Sequence, residues 1–242
     1  MSEPTSATFS GATVLLTGVG ADGQVGQVVA RSFAETGASL VLVDRTQEHV
    51  DARVEELTRA GYAAAGYSCD LADPAAVKSL AARVHEKHGQ ALNALVHMAG
   101  GFAMSGPVAE STDDVWNRQI SINLTTAFVT ARAFLPLVRA ARGSIVFFAS
   151  EAVLAGSTGA KTSAYAVAKS GVVALMRAIA AEERRNGVRA NAVAPSSIRT
   201  ATNVRDMGAG ARYVERDQVA DVVLFLCSPR ASAISGLVVP IS

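Results

Sequence analysis

Short apolar runs rich in branched residues alternate with longer stretches whose apolar residues recur at helical spacing. The first run, "ATVLLTG" (12–18), precedes "GQVGQVVARSFAETGA" (23–38). "SLVLVD" (39–44) follows, then "TQEHVDARVEELTRAG" (46–61). The cycle continues with predicted strands at 63–68, 93–98, 144–149, 188–194 and 236–240, and predicted helices at 74–88, 112–141, 162–185 and 216–227. Strands that are apolar on both sides must be covered on both faces, which is the property of a parallel sheet. Right-handed crossovers then favour a doubly wound α/β fold of about seven strands with helices on both faces. There is no repeat, no low-complexity linker and no break in composition, so the 242 residues read as one domain, 1–242.

Charge narrows the function classes. The chain carries 22 basic and 21 acidic residues, evenly spread, for a net charge of +1. A phosphate-backbone binder needs a basic stripe, so nucleic acid is not expected as a partner. Cys69 and Cys227 stand in unrelated contexts, with no disulfide framework or zinc spacing around them. The polar N-terminal stretch and the apolar runs, each interrupted by Arg, Asp, Asn or Pro, give no expected membrane span. A cytoplasmic protein is the simplest expectation.

The turn between the first strand and the first helix reads "LLTGVGADGQVGQVVA". Gly18, Gly20 and Gly23 match the spacing of a dinucleotide-binding (Rossmann) fingerprint in the right place, and Val25 and Gly26 open the helix. Glycine lets the backbone turn sharply and approach a pyrophosphate, whose charge meets the free N–H groups of the helix N-terminus. Asp44 ends the second strand, where a carboxylate binds adenosine ribose hydroxyls and repels a 2′-phosphate. That favours NAD. Arg45 beside it offers a guanidinium that suits a 2′-phosphate, which keeps NADP open.

"YAVAK" (165–169) lies in the predicted helix 162–185. Tyr165 and Lys169, four residues apart, leave one face of it. A free phenol titrates near 10, and a fixed ammonium within reach is expected to lower that value toward neutrality. Such a phenol can pass a proton in either direction, as a carbonyl–alcohol interconversion requires.

The ordered set "TVLLTG", "CDLAD" (69–73), "VHMAG" (96–100), "SINLTTAF" (121–128), "GSIVFFAS" (143–150), "YAVAK" and "RANAVAPSSIRT" (189–200) resembles the short-chain dehydrogenase/reductase family in its shorter, single-domain form. The resemblance covers nearly the whole chain. It implies an NAD(P)-dependent oxidoreductase acting on a small-molecule secondary alcohol or ketone. It assigns Tyr165 as acid/base, Ser150 as the group that holds the substrate oxygen, Lys169 as the modulator of Tyr165 and a ribose ligand, and Asn123 as the anchor of a relay water. It further implies cofactor contacts from Asp70, Leu71, Ala99, Gly100, Pro195, Ile198 and Thr200.

Several positions depart from the family pattern. The glycine loop is two residues longer, with Gln24 in place of a glycine, and Asp22 is expected to bring negative charge toward the phosphates. His97 replaces the asparagine that braces the central strand, and reads as a buried, satisfied ring rather than a catalytic one. Ser150 precedes Tyr165 by two residues more than usual, so Ser157 and Ser163 are competitors for its role. The polar "ATNVRDMGAGA" (201–211) stands where a longer helical lid is usual and reads as a mobile loop over an open pocket. Helices 112–141 and 162–185 are apolar on most of their circumference, which implies a homodimer or homotetramer built through them. A second reading is a nicotinamide-nucleotide-binding sensor or subunit without turnover.

Overall fold

The computed structural model describes residues 9–242. One parallel sheet of seven strands has the order β3-β2-β1-β4-β5-β6-β7. The strands are β1 Thr13–Thr17, β2 Ser39–Asp44, β3 Ala64–Ser68, β4 Ala94–His97, β5 Ser144–Phe148, β6 Arg189–Pro195 and β7 Val238–Ile241. β1 pairs on one side with β2 (Leu15 opposite Val41) and on the other with β4 (Leu15 opposite Leu95). The chain therefore leaves β1 in one direction and resumes at β4 in the other. A crevice opens at the carboxyl ends of these two strands, where such sheets bind ligands.

Alternation along the strands builds two cores. Leu15, Val41, Val43 and Leu95 face α3 (Pro74–His88), α5 (Thr126–Ala140) and α6 (Ser163–Glu182) through Leu80, Phe134 and Met176. Val14, Leu16, Leu40 and Val96 face the opposite way. They meet Phe33 of α1 (Val25–Glu35), Leu57 of α2 (Gln47–Arg59) and Val223 of α8 (Arg216–Cys227). Removing a ring such as Phe33 or Phe134, both fully buried, would cost about 3–5 kcal/mol. Cys69 and Cys227 are buried free thiols, and burial pushes Cys227 up to about 12.

Three sequence expectations change. First, segment 201–211 is not simply loop. Ala201–Met207 forms a short helix, α7, whose N-cap Thr200 accepts a hydrogen bond from Asn203 N and whose end is marked by Gly208. The Tyr213 hydroxyl donates to the carbonyls of Asn203 (3.1 Å) and Gly208 (2.6 Å), tying the following turn back onto it. Second, the expected helix 112–141 contains an irregularity. After α4 (Asp113–Gln119), the turn Ile120–Thr125 is π-helical before α5 continues. Third, Asp113–Ala140 and Ser163–Glu182 are long and apolar enough, by length and composition, to cross a membrane. Here both lie against the sheet, and their apolar composition serves the core on one side.

Candidate active site

The glycine loop wraps the carboxyl end of β1. Gly18 has φ +71°, and a Cβ there would fall 2.5 Å from Ala99 N at the end of β4. At Gly26, a Cβ would fall 2.6 Å from the carbonyl oxygens of Gly18 and Val19, so only glycine lets α1 seat this close to the loop. α1 begins at Val25, and its N-cap Gln24 makes no side-chain cap, so no capping side chain takes its first-turn N–H groups. The cradle fits a dinucleotide pyrophosphate.

Asp44 is half-buried and already engaged: Oδ2 accepts from Gly20 N at 2.9 Å, and Oδ1 accepts from Thr46 N at 3.2 Å. The carboxylate thus shapes the loop as well as facing the crevice. Arg45 is exposed beside it. Asp22 does not bring a free charge toward the phosphates. It accepts from Arg53 Nη2 at 2.7 Å, and the same buried guanidinium pairs with Glu56. The lengthened loop is tied to α7 as well. Ala201 N donates to Gly23 O (3.0 Å), and Gln24 Nε2 donates to the Thr202 hydroxyl (3.0 Å). Sequence reasoning missed Arg53 and this link. Arg53 reads as an ordinary helix-surface cation until the fold places an acid from another element against it.

The remaining positions assigned from the sequence fall around the crevice in different states. Asp70 is exposed and accepts from Ala72 N, whereas the Leu71 side chain is buried in the core and leaves only its backbone for a ligand. Ala99 and Gly100 close the loop after β4. Pro195 ends β6, Ile198 bridges to Val214, and the hydroxyl of Thr200 is used as the α7 cap.

Tyr165, Ser150, Lys169 and Asn123 converge. Ser150 follows β5 and stands near enough to the Tyr165 phenol to influence its titration, while its hydroxyl accepts from Ala152 N at 3.3 Å. Ser163 instead meets Ser105. Lys169 is buried, donates to Phe148 O at 2.8 Å, and lies 5.8 Å from the centre of the Tyr165 ring. A Cβ at Gly100 would lie 2.6 Å from Asn123 Oδ1 and 3.4 Å from Lys169 Nζ, which shows how tightly the three pack. Asn123, in the π-helical turn, clamps the loop after β4: Nδ2 donates to Gly101 O (2.9 Å) and Oδ1 accepts from Gly101 N (3.1 Å). π-helical turns often mark functional sites because they break the regular carbonyl ladder.

The electrostatics correct one expectation. The Tyr165 phenol is not lowered but raised above its ordinary 10. Burial is the main cause. The nearby Ser150 hydroxyl draws it back down, and the charge of Glu151 adds to the rise. Lys169 does not offset this, because its head is aimed at a backbone carbonyl, and burial lowers its own pKa to about 8. His97 is the satisfied ring expected. Nδ1 meets the Thr17 hydroxyl at 3.0 Å and Nε2 the Thr126 hydroxyl at 3.3 Å, and burial pushes it down to about 3, so it is neutral.

Comparison with known proteins identifies the family to which this fold belongs. Residues 18–242 match a family model described as enoyl-(acyl carrier protein) reductase. Meso-2,3-butanediol dehydrogenase of Serratia marcescens is 35% identical, with 96% of this chain and 94% of that protein covered. A short-chain dehydrogenase of Mycobacterium smegmatis has a similar solved structure, at 32% identity and TM-score 0.83, covering 98% of this chain and 93% of the other. A 3-oxoacyl-[acyl-carrier protein] reductase of Brucella melitensis, solved with bound NAD, is 29% identical at TM-score 0.84 and covers 100% and 95%. The chain belongs to the short-chain dehydrogenase/reductase family and is an oxidoreductase of the nicotinamide-dinucleotide class.

Proposed function

We propose that the chain interconverts a secondary alcohol and a ketone with Tyr165 as acid/base and Ser150, Lys169 and Asn123 as its supporting set. The observation that carries this reading is the approach of the Tyr165 ring to within 5.8 Å of the buried Lys169 ammonium, with Ser150 beside the phenol, at the carboxyl end of the sheet. A reacting oxygen between the Ser150 and Tyr165 hydroxyls would have two donors, which is what a developing oxyanion needs. In reduction Tyr165 gives its proton to that oxygen, and in oxidation its phenolate takes one. Lys169, with a pKa of about 8, is poised to hold or release the next proton near neutrality. Asn123 keeps the backbone at 100–101 in place and carries the relay water.

The cofactor would lie on Gly18, Gly20, Gly23, Val25 and Gly26, with Asp44 or Arg45 meeting the adenosine ribose. Asp70, Leu71, Ala99, Gly100, Pro195, Ile198 and Thr200 would line its course, and Lys169 would bond the second ribose. When bound, the nicotinamide supplies or takes the hydride. Asp44 favours NAD over NADP. The reading includes a single domain over 1–242 and a cytoplasmic site with both cysteines kept as thiols. It also includes a homodimer or homotetramer through 112–141 and 162–185, where Trp116, Phe128 and Val167 leave apolar surface exposed. A sensor or subunit without turnover is the competing reading. No feature of the site needs the proton-transfer set in that case.

Titration with NADH and NADPH by nicotinamide fluorescence tests the cofactor assignment. Tighter NADH supports Asp44 as selector, tighter NADPH transfers that role to Arg45, and binding of neither overturns the reading. Tyr165→Phe should abolish turnover, and a wild type that binds NADH but turns over no ketone would favour the sensor reading.

A further inference from the structure

The loop after β4 is held at both ends and leaves three residues free between them. Asn123 clamps Gly101, and Ser105 N and Gly106 N donate to Lys161 O at 2.8 and 3.1 Å. The Ser105 hydroxyl also meets that of Ser163, two residues before Tyr165. Phe102, Ala103 and Met104 therefore form a short span beside the catalytic phenol. Phe102 packs edge-to-face with Tyr165, with ring centres 5.1 Å apart at 84°, yet 62% of its surface remains exposed. Met104, Val108 and, on α7, Met207 are exposed as well. An aromatic ring fixed against a catalytic residue, with its remaining surface open, is built to receive apolar surface.

Glu151 stands directly after Ser150, and its charge is felt at Tyr165. A carboxylate there opposes any substrate that brings negative charge to the reacting carbonyl. A polyol would need several directed donors and acceptors to be selected, and the side chains of the free span Phe102–Met104 supply none. We infer that the substrate is an uncharged ketone, or its alcohol, carrying a flat apolar ring next to the reacting carbon, and that Phe102 is the residue that selects it. This rests on Tyr165 being the acid/base.

The test compares kcat/KM for 1-tetralone, a ring-carboxylated 1-tetralone and the acyclic 3-hydroxy-2-butanone, with saturating reduced cofactor. The wild type should prefer 1-tetralone to the acyclic ketone by about tenfold or more. Phe102→Ala should reduce that ratio by about tenfold, chiefly through KM, with NADH affinity measured separately by fluorescence. Glu151→Gln should raise kcat/KM for the carboxylated ring several-fold while leaving the tetralone-to-acyclic ratio in place. Preference for the acyclic ketone, or a ratio unmoved by Phe102→Ala, overturns the inference and leaves the acid/base reading standing. Turnover of no ketone, with NADH still bound, overturns both.

Discussion

Tyr165 and Lys169 show how one environment sets two titrations apart. Burial raises the phenol and lowers the ammonium to about 8. Tyr165→Phe should lower kcat roughly 100- to 10,000-fold, the usual contribution of a positioned acid/base. Affinity for NADH should stay within a factor of two to three, because the substitution removes only the hydroxyl. Stopped-flow turnover alongside fluorescence titration separates the two, and retained turnover would remove Tyr165 from its role. His97 offers a different readout. Its pKa is about 3 in the fold against about 6.5 unfolded, so the unfolded chain binds more protons throughout that window. Its contribution is intact above pH 6.5 and is lost as pH falls toward 3, up to on the order of 4 kcal/mol. His97→Asn should flatten the acid limb of a Tm-against-pH curve. Equal slopes for both proteins would assign acid sensitivity to other groups. These side chains were legible from sequence, but their charge states were not. "YAVAK" fixes which groups are near one another, whereas the direction of a pKa shift depends on burial and on where Lys169 Nζ points.

At the scale of elements, regular strands and helices follow closely from periodicity. β2, α3 and α8 match their expected spans, α3 because Asp73, Pro74 and Gly89 close it and α8 because Glu215 and Gln218 cap its start. The two irregular elements are different. α7 has no apolar stripe, and it stands because Thr200 caps it and Tyr213 ties its end. The π-helical turn at 120–125 has no local signal, and it holds Asn123 through contacts to Gly101, 22 residues away. Both are products of tertiary structure. α7 is also joined to the lengthened glycine loop through Gln24 and Thr202. The loop that would meet the pyrophosphate and the helix beside the substrate mouth should therefore move together. Gln24→Ala and Thr202→Val should each weaken NADH binding about threefold, the worth of one modest hydrogen bond. The double variant should be no weaker than either single one, giving a coupling of about 0.6 kcal/mol. Strictly additive losses would show that the two residues act separately.

For the whole molecule, the question is what covers α5 and α6. Both lay one side on the sheet, and that side accounts for Phe134, Val172 and Met176. It does not account for Phe128 and Val167, each nearly half exposed, or for Trp116 on α4. A helix on the outside of a sheet gains nothing from apolar residues on its outer side unless a second surface meets it. A closed dimer brings the same patch from both copies together, so one substitution introduces two charges into the contact. Phe128→Arg combined with Val167→Glu should leave a particle near the chain mass of 24.9 kDa in sedimentation, where the wild type should read as a multiple of it. Two further apolar side chains are exposed, Phe225 on α8 and Leu237 just before the edge strand β7. A tetramer requires a second self-complementary surface of this kind, whereas a dimer does not. Phe225→Arg should therefore halve the particle if the wild type is a tetramer and leave it unchanged if it is a dimer. In either case Tm should rise with protein concentration in the wild type and lose that dependence in the Phe128→Arg, Val167→Glu protein, because assembly stabilises the fold by mass action. A wild type that sediments as a monomer, with a Tm independent of concentration, would mean that these helices leave their apolar side to solvent.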